Sequence, residues 1–517
     1  MPAWNFVRKG FYQDSVTLMR LARDMEAVPG VSRAAAMMGT PENRALLRDA
    51  GLLAAEGEAA GATDLVIAVS AESIAAGEAA RAAGEAALAA RRGPAGVGAA
   101  ARPRTLAAAL RALPDATLAL VSVPGVHAAT EARRALEAGL HVMLFSDNVA
   151  LADEIALKRL ARERGLFLMG PDCGTAILAG VPLGFANAVP RGRIGVAAAS
   201  GTGLQEVTCL VAAAGEGISH AIGVGGHDLA DEVGGLMLEQ ALDALAADPA
   251  TAVVVVVGKP PGPATLPKLR SRVAALGKPT VLHLVAGTAG ADWAVGGARQ
   301  MPGAPHVAST LEDAALAAVA LARGLTPAPV EFSAPPGEIA ARVEAAAHAL
   351  RTGQRWVRGV YAGGTLAWEA RELLAARLAD VAPGVDGDGN GHRVVDLGGD
   401  AFTRGHPHPM IDGSVRRERI ARETDDPATA VLLLDVVLGF GASPDPAGEV
   451  LSAIRAAQRR AEAEGRGLAV VASVCGTETD PQRRSAQVAA LETAGVRVMP
   501  SNAQAARLAA LIAARRA

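Results

Sequence analysis

Aromatic side chains make up only 3% of the 517 residues, with two tyrosines and four tryptophans. The core must therefore be assembled from Val, Leu, Ile and Ala, which disfavours an aromatic-rich sandwich and favours α/β layers. Cysteine is also scarce. Cys173, Cys209 and Cys475 are odd in number and follow no metal-ligand spacing, which argues against a disulfide framework or a zinc site and fits a reducing cytosol. A small buried apolar role is the plainer expectation for Cys209. Charge of one sign is missing too: 50 basic against 53 acidic residues leave a net −3, too little field to hold a long nucleic acid, so any bound phosphate should be small. No long apolar run exists. The longest, from Ala430 to Phe440, is broken by Asp435, and Met1 to Tyr12 carries Arg8 and Lys9 without an apolar stretch. Neither a signal peptide nor a membrane span is expected, and the expected location is cytoplasmic.

What is present is a regular alternation. Short runs of Val, Ile and Leu at Leu118–Val123, Ile194–Ala199, Ala252–Val257, Thr280–Val285, Ala430–Val437 and Leu468–Val474 are separated by helical stretches. Buried parallel strands read this way, and a βαβα pattern predicts parallel sheets with helices on both faces. The length suggests several domains. Two Pro/Gly-rich breaks stand out, Gly93 to Pro103 and the proline-rich stretch from Gly324 to Gly337; prolines stop helices and remove backbone donors. With a third boundary near Pro190, the expected layout is residues 1–190, 191–323, a linker at 324–337, and 338–517.

An internal repeat spans that linker. Asp248-Pro-Ala-Thr-Ala-Val253 recurs letter for letter as Asp426-Pro-Ala-Thr-Ala-Val431, each leading into an apolar run. Upstream, Gly201-Thr202 is followed four residues on by Glu206, and Gly364-Thr365 by Glu369; Gly225-Gly226-His227-Asp228 and Gly398-Gly399-Asp400 fall between. A repeat of this period points to duplicated domains and not to a solenoid.

Three loops have the form of anion cradles. Ile194 through Ser200, Gly201, Thr202 and Gly203 is a strand entering a small-residue turn before a helix. Glycines let backbone approach a ligand, and the first helical N–H groups lack intrahelical partners. An ordinary Ser/Thr helix cap is the alternative. Gly363, Gly364 and Thr365 repeat the form, and Cys475, Gly476 and Thr477 give a third candidate, where Cys475 is either a low-pKa thiol or a packing residue. Gly225, Gly226 and Gly399 complete the expected phosphate or substrate contacts. Arg404 with His406 and His408 could clamp an anion or form a rigid surface loop. Lys259 follows a predicted strand, at the carboxyl end where α/β sheets place ligands; a solvated lysine is the alternative. Lys259, Arg404 and His406 are the candidate catalytic residues, and no metal site is expected.

Gly170-Pro-Asp-Cys173-Gly-Thr, Ala199-Ser-Gly-Thr202, Gly223-Val-Gly-Gly226 and the strand ending at Gly258 resemble the α-subunit of succinyl-CoA synthetase over residues 110–325. Gly359 onward resembles the matching β-subunit domain. The resemblance implies a Rossmann-like CoA-binding-type domain followed by two flavodoxin-like ligase-type domains with parallel sheets. A resemblance to the FdrA family runs almost end to end, through Lys9 to Met19, Met37 to Asn43, Gly258-Lys-Pro-Pro261, Phe402 to Met410 and Asp435 to Pro446.

Two departures from the ligase bear on the chemistry. Its phosphohistidine lies in a Gly-His-Ala motif, and the corresponding stretch here reads Gly296-Gly297-Ala298. Lys259 stands where the ligase has a glutamate that orients the histidine. The FdrA resemblance implies a subunit of an oxamate carbamoyltransferase in allantoin catabolism, acting with companion subunits on a small phosphorylated or carboxylate substrate, in an oligomer. A nucleotide-dependent acyl-CoA synthetase and a non-catalytic CoA-binding scaffold remain as alternatives. CoA is the one cofactor implied, although no clean Gly-x-Gly-x-x-Gly fingerprint is present.

Overall fold

The computed structural model describes all residues except 1, 12, 14, 91–102, 104, 285–303, 388–390, 404–406 and 516–517. Two compact units result: residues 1–116 with 122–124 and 400–412, and residues 117–121, 125–399 and 413–517. The expected region 1–190 is therefore divided near residue 116, and the 324–337 stretch joins parts of one unit.

The first unit holds a three-stranded antiparallel sheet ordered β1 (Ala3–Arg8), β3 (Leu65–Ala71), β2 (Val31–Met38). Because side chains alternate across a strand, Leu65, Ile67 and Val69 of β3 face one way. They meet Leu18, Leu21 and Met25 of the Ser15–Glu26 helix. Val66 and Ala68 face the other way, onto Leu47 and Leu52. This antiparallel sheet was not anticipated from the sequence.

The second unit begins with a short parallel sheet, β4 (Leu118–Val121), β5 (His141–Leu144) and β6 (Leu168–Met169). A seven-stranded sheet follows, built from β7 (Thr175–Leu178), β8 (Val181–Gly184), β9 (Arg191–Ala198), β10 (Ile218–Gly223), β11 (Val253–Gly258), β12 (Thr280–Leu284) and β13 (His306–Val307). Its order is β13-β12-β11-β9-β10-β7-β8, with β7 and β8 antiparallel to their neighbours. The last sheet is entirely parallel: β14 (Trp356–Tyr361), β15 (Arg393–Asp396), β16 (Thr429–Val437), β17 (Ala469–Cys475) and β18 (Arg497–Met499), ordered β15-β14-β16-β17-β18.

Counted from its first parallel strand, each large sheet has the order 2-1-3-4-5, the flavodoxin-like winding in which ligands sit beyond the carboxyl ends at the point where strand order reverses. In the first sheet that point lies between β9 and β11, and in the second between β14 and β16. The repeated hexapeptide has the same geometry in both copies. Asp248 accepts the Ala250 N–H at 3.1 Å and Asp426 the Ala428 N–H at 2.9 Å. Each aspartate ends a helix and turns the chain into the third strand.

A buried ion cluster ties helix Leu151–Glu163 to the first large sheet. Lys158, with a side chain 0% exposed, places Nζ 2.8 Å from Glu154 Oε1 and 2.8 Å from Asp228 Oδ1. It also donates to the Val224 carbonyl at 3.0 Å. Asp228 in turn accepts the N–H groups of Met237 and Leu238, opening helix Leu236–Ala247. Removing the lysine alone strands two buried carboxylates. We predict that Lys158→Met lowers the unfolding free energy by about 3–5 kcal/mol, measured by urea denaturation against the wild type.

Candidate functional site

The two reversal points meet. Helix Gly201–Ala213 follows β9 and helix Gly364–Ala375 follows β14, and their first turns pack against each other. Ser200 Oγ lies 2.5 Å from Thr365 Oγ1. A Cβ on Gly203 would come 3.1 Å from Thr365 Cγ2, and one on Gly363 would come 3.0 Å from Thr202 Cγ2. Small residues at these positions let two helix starts approach closely. Two partial positive ends of helix dipoles thus lie side by side, which favours an anion beside them.

The copies differ in what already occupies their turns. In the first, Ser200 is a true N-cap, its Oγ accepting the Gly203 N–H at 3.0 Å. Among the described residues nothing accepts the N–H of Gly201 or Thr202. The second has no side-chain cap on Gly363. Instead the Asp435 carboxylate, buried on β16, accepts the Ala362 N–H at 2.9 Å and the Gly363 N–H at 2.8 Å. Arg416 neutralises that carboxylate from 3.0 Å and also donates to the Val360 and Asp435 carbonyls. Burial pushes the Asp435 carboxyl up, and Arg416 and the two N–H groups oppose the rise.

Beneath the paired turns, the repeat glutamates cross over. Glu206 Oε1 accepts the N–H of Asn502, the first residue of helix Asn502–Ala514, at 3.0 Å. Glu369 Oε1 accepts the N–H of Leu311, the first residue of helix Leu311–Ala322, at 2.7 Å. Each copy therefore caps the last helix of the other. Asn502 also donates its side-chain amide to Glu369 Oε2 at 2.7 Å and accepts from Tyr361 Oη at 3.1 Å.

Other expected contacts have different roles. Thr477 donates its N–H to Asp480 at 2.7 Å and its hydroxyl to the Ala188 carbonyl at 2.7 Å. A Cβ on Gly476 would strike Leu438 at 2.5 Å. Cys475 is buried, and its thiol is pushed well above the ordinary value by a hydrogen bond with Cys209 and by burial. Of the two readings of Cys475 the packing one fits, and the anion contact expected of Cys475, Gly476 and Thr477 is corrected: the Thr477 donors already meet Asp480 and Ala188. Cys173 and Cys209 are buried as well, the former pushed up to about 12 by burial. Gly225, at φ +89, allows close passage of Pro171, while Gly226 borders open space. Gly399 follows Asp396, and Lys259 is exposed, its charge felt by Asp396. Arg404, His406 and the Gly296-Gly297-Ala298 stretch lie outside the described residues. Sequence reasoning missed Asp396, Asp435, Arg416 and Asn502. Of these only Asp435 left a signal, as the one charge interrupting an apolar strand.

Comparison with known proteins fixes the family. The uncharacterized protein YahF of Escherichia coli (strain K12) is 38% identical over 515 residues, covering 97% of both chains. The chain belongs to the family of YahF. The family described as CoA-ligase matches residues 360–512, the second of the two flavodoxin-like copies. The succinate–CoA ligase [ADP-forming] subunit alpha-2 of Trichomonas vaginalis is 32% identical over 150 residues, 28% of this chain and 47% of that one. The chain thus spans about half the length of that relative. The YahF family is in this sense succinyl-CoA synthetase-like. A dinucleotide-forming acetyl-coenzyme A synthetase 1 from Ca. Korarchaeum cryptofilum covers 77% of this chain and 83% of its own at 16% identity, with a TM-score of 0.33.

Residues 1–103 match a family described as AllF, heavy metal-associated domain. They contain neither cysteine nor histidine, so no thiolate or imidazole is available there for a soft metal. Among the described residues no group of three His, Cys, Asp or Glu is placed to hold a metal ion. Gly125, the glycine after β4, packs on its own chain, since a Cβ there would collide with the Asp147 carbonyl. No described helix is long and apolar enough to cross a membrane.

Burial raises the Glu206 carboxyl from 4.5 to about 7, the Asn502 N–H opposing the rise and the Glu369 charge adding to it. Folded protein therefore holds a proton that the unfolded chain has released, so stability falls as pH rises from 4.5 toward 7. Glu206→Gln should flatten this slope and leave the variant more stable than the wild type at pH 8, read from denaturation midpoints across pH.

Proposed function

We propose that the chain is the FdrA-like subunit of a carbamoyltransferase that interconverts carbamoyl phosphate plus oxamate with oxalurate plus phosphate, in allantoin and purine nitrogen catabolism. The observation that carries this reading is the pairing of two helix starts at Ser200 and Thr365. Phosphoryl oxygens held by the N–H groups of Gly201 and Thr202 are stabilised as charge gathers on the departing phosphate. Lys259, at the carboxyl end of β11, adds a positive charge without a covalent role.

In the forward direction the amide nitrogen of oxamate attacks the carbamoyl carbon. A C–N bond forms, the bond from that carbon to the phosphate oxygen breaks with its electron pair on that oxygen, and the proton lost by the nitrogen passes to the departing phosphate. No phosphorylated side chain is needed. This agrees with a sequence that reads Gly296-Gly297-Ala298 where the ligase has its histidine. His283 is a poor substitute: it is buried in β12, bonded to the Ala308 carbonyl, and its pKa is lowered by burial.

A second reading, a nucleotide-dependent acyl-CoA synthetase, is favoured by the CoA-ligase match and by the similarity to the succinate–CoA ligase subunit. It requires a phosphorylated intermediate, visible as acid-labile label after incubation with ATP.

The test is to co-purify the chain with the products of neighbouring genes and assay phosphate-dependent breakdown of oxalurate. Gly201→Pro, which removes one of the two N–H donors at the first helical position, where proline is tolerated, should lower kcat/KM by about tenfold, the cost of one hydrogen bond to a charged group. Absence of turnover from every assembled complex would sink the carbamoyl reading.

A further inference from the structure

The two sides of the rim of the paired turns differ by one carboxylate. On the side of helix Gly364–Ala375 stands Asp396, the last residue of β15. Its Oδ1 accepts the Gly398 N–H at 2.9 Å. Its Oδ2 has no partner among the described residues and points at the first turn of the helix, 2.6 Å from where a Cβ on Gly364 would be. Glycine at 364 is what lets this oxygen reach the turn. Asp435 lies behind, fixed by Arg416 and by the N–H groups of Ala362 and Gly363. Both helix starts thus offer open N–H donors, at Gly201 and Thr202 on one and at Gly364 and Thr365 on the other, and the second alone adds a carboxylate oxygen that can only accept.

Resting on the transferase reading, we propose that Asp396 makes this site selective for small anions that also carry an N–H group, an amide or carbamoyl-bearing carboxylate, over anions whose edge is all oxygen. The anionic end is held at the first helix start, and the nitrogen donates to Asp396 Oδ2. An all-oxygen anion of the same shape places lone pairs against the carboxylate and is repelled, which is discrimination by an unfavourable contact as much as by a favourable one.

The charged groups felt by Asp396 are Asp435, Lys259 and Asp172. Burial raises its carboxyl to about 6, the Gly398 N–H opposes this, Asp435 adds to the rise, Lys259 opposes it and Asp172 adds to it. Selectivity is therefore present when Asp396 is ionised and fades as pH falls through that range.

Oxamate and oxalate are the probes, since they share a carboxylate and a planar frame and differ in an amide against a second carboxylate. Calorimetric titration of the full chain with oxamate, oxalate and inorganic phosphate at pH 8 should give oxamate an advantage over oxalate of about tenfold or more, the scale of one hydrogen bond to a charged group. The gap should collapse in Asp396→Asn at pH 8. It should also collapse in the wild type at pH 5, an arm that needs no variant to fold. Equal binding of oxamate and oxalate at pH 8, with phosphate still bound, overturns the selectivity and leaves the transferase reading standing. A gap that survives both at pH 5 and in Asp396→Asn also overturns it. Failure of all three anions to bind overturns both.

Discussion

Reciprocal capping holds the candidate site together. A glutamate from each flavodoxin-like copy satisfies an otherwise orphaned N–H at the start of the other copy's last helix, Glu206 on Asn502 and Glu369 on Leu311. Helix starts buried without partners are costly, and a carboxylate at a helix N-terminus is the favourable answer. Because each glutamate lies one turn below its own helix start, the same bond that locks the copies together also fixes where Thr202 and Thr365 stand. Neither copy could move without breaking a buried hydrogen bond in the other.

On this near-symmetric frame the chemistry is unequal. The first turn is capped by its own serine and keeps two N–H groups open. The second is braced from behind by Asp435 and Arg416 and flanked by Asp396. A duplicated scaffold thus keeps open donors at both helix starts and carries an acceptor carboxylate beside only the second.

Much of the frame was legible in the residues. Continuous runs such as Val253–Gly258 read as buried parallel strands because both faces are covered, and they became β11 and its counterparts. The repeat was legible because the same turn is made twice by the same hexapeptide. The N-terminal antiparallel sheet was not, since β2 is largely alanine and methionine with little strand preference. Lys158 left no local signal in the sequence, because its partner Asp228 lies 70 positions away. The Cys475 loop resembled the other cradles because a turn that holds phosphate and one that holds its own aspartate use the same small residues.

The opposed helix starts at Ser200 and Thr365 belong to a single polypeptide, 165 positions apart. Their mutual concentration is set by the intervening chain and not by how much protein is present. The two starts therefore cannot be separated by dilution, and they always occur in a ratio of one to one.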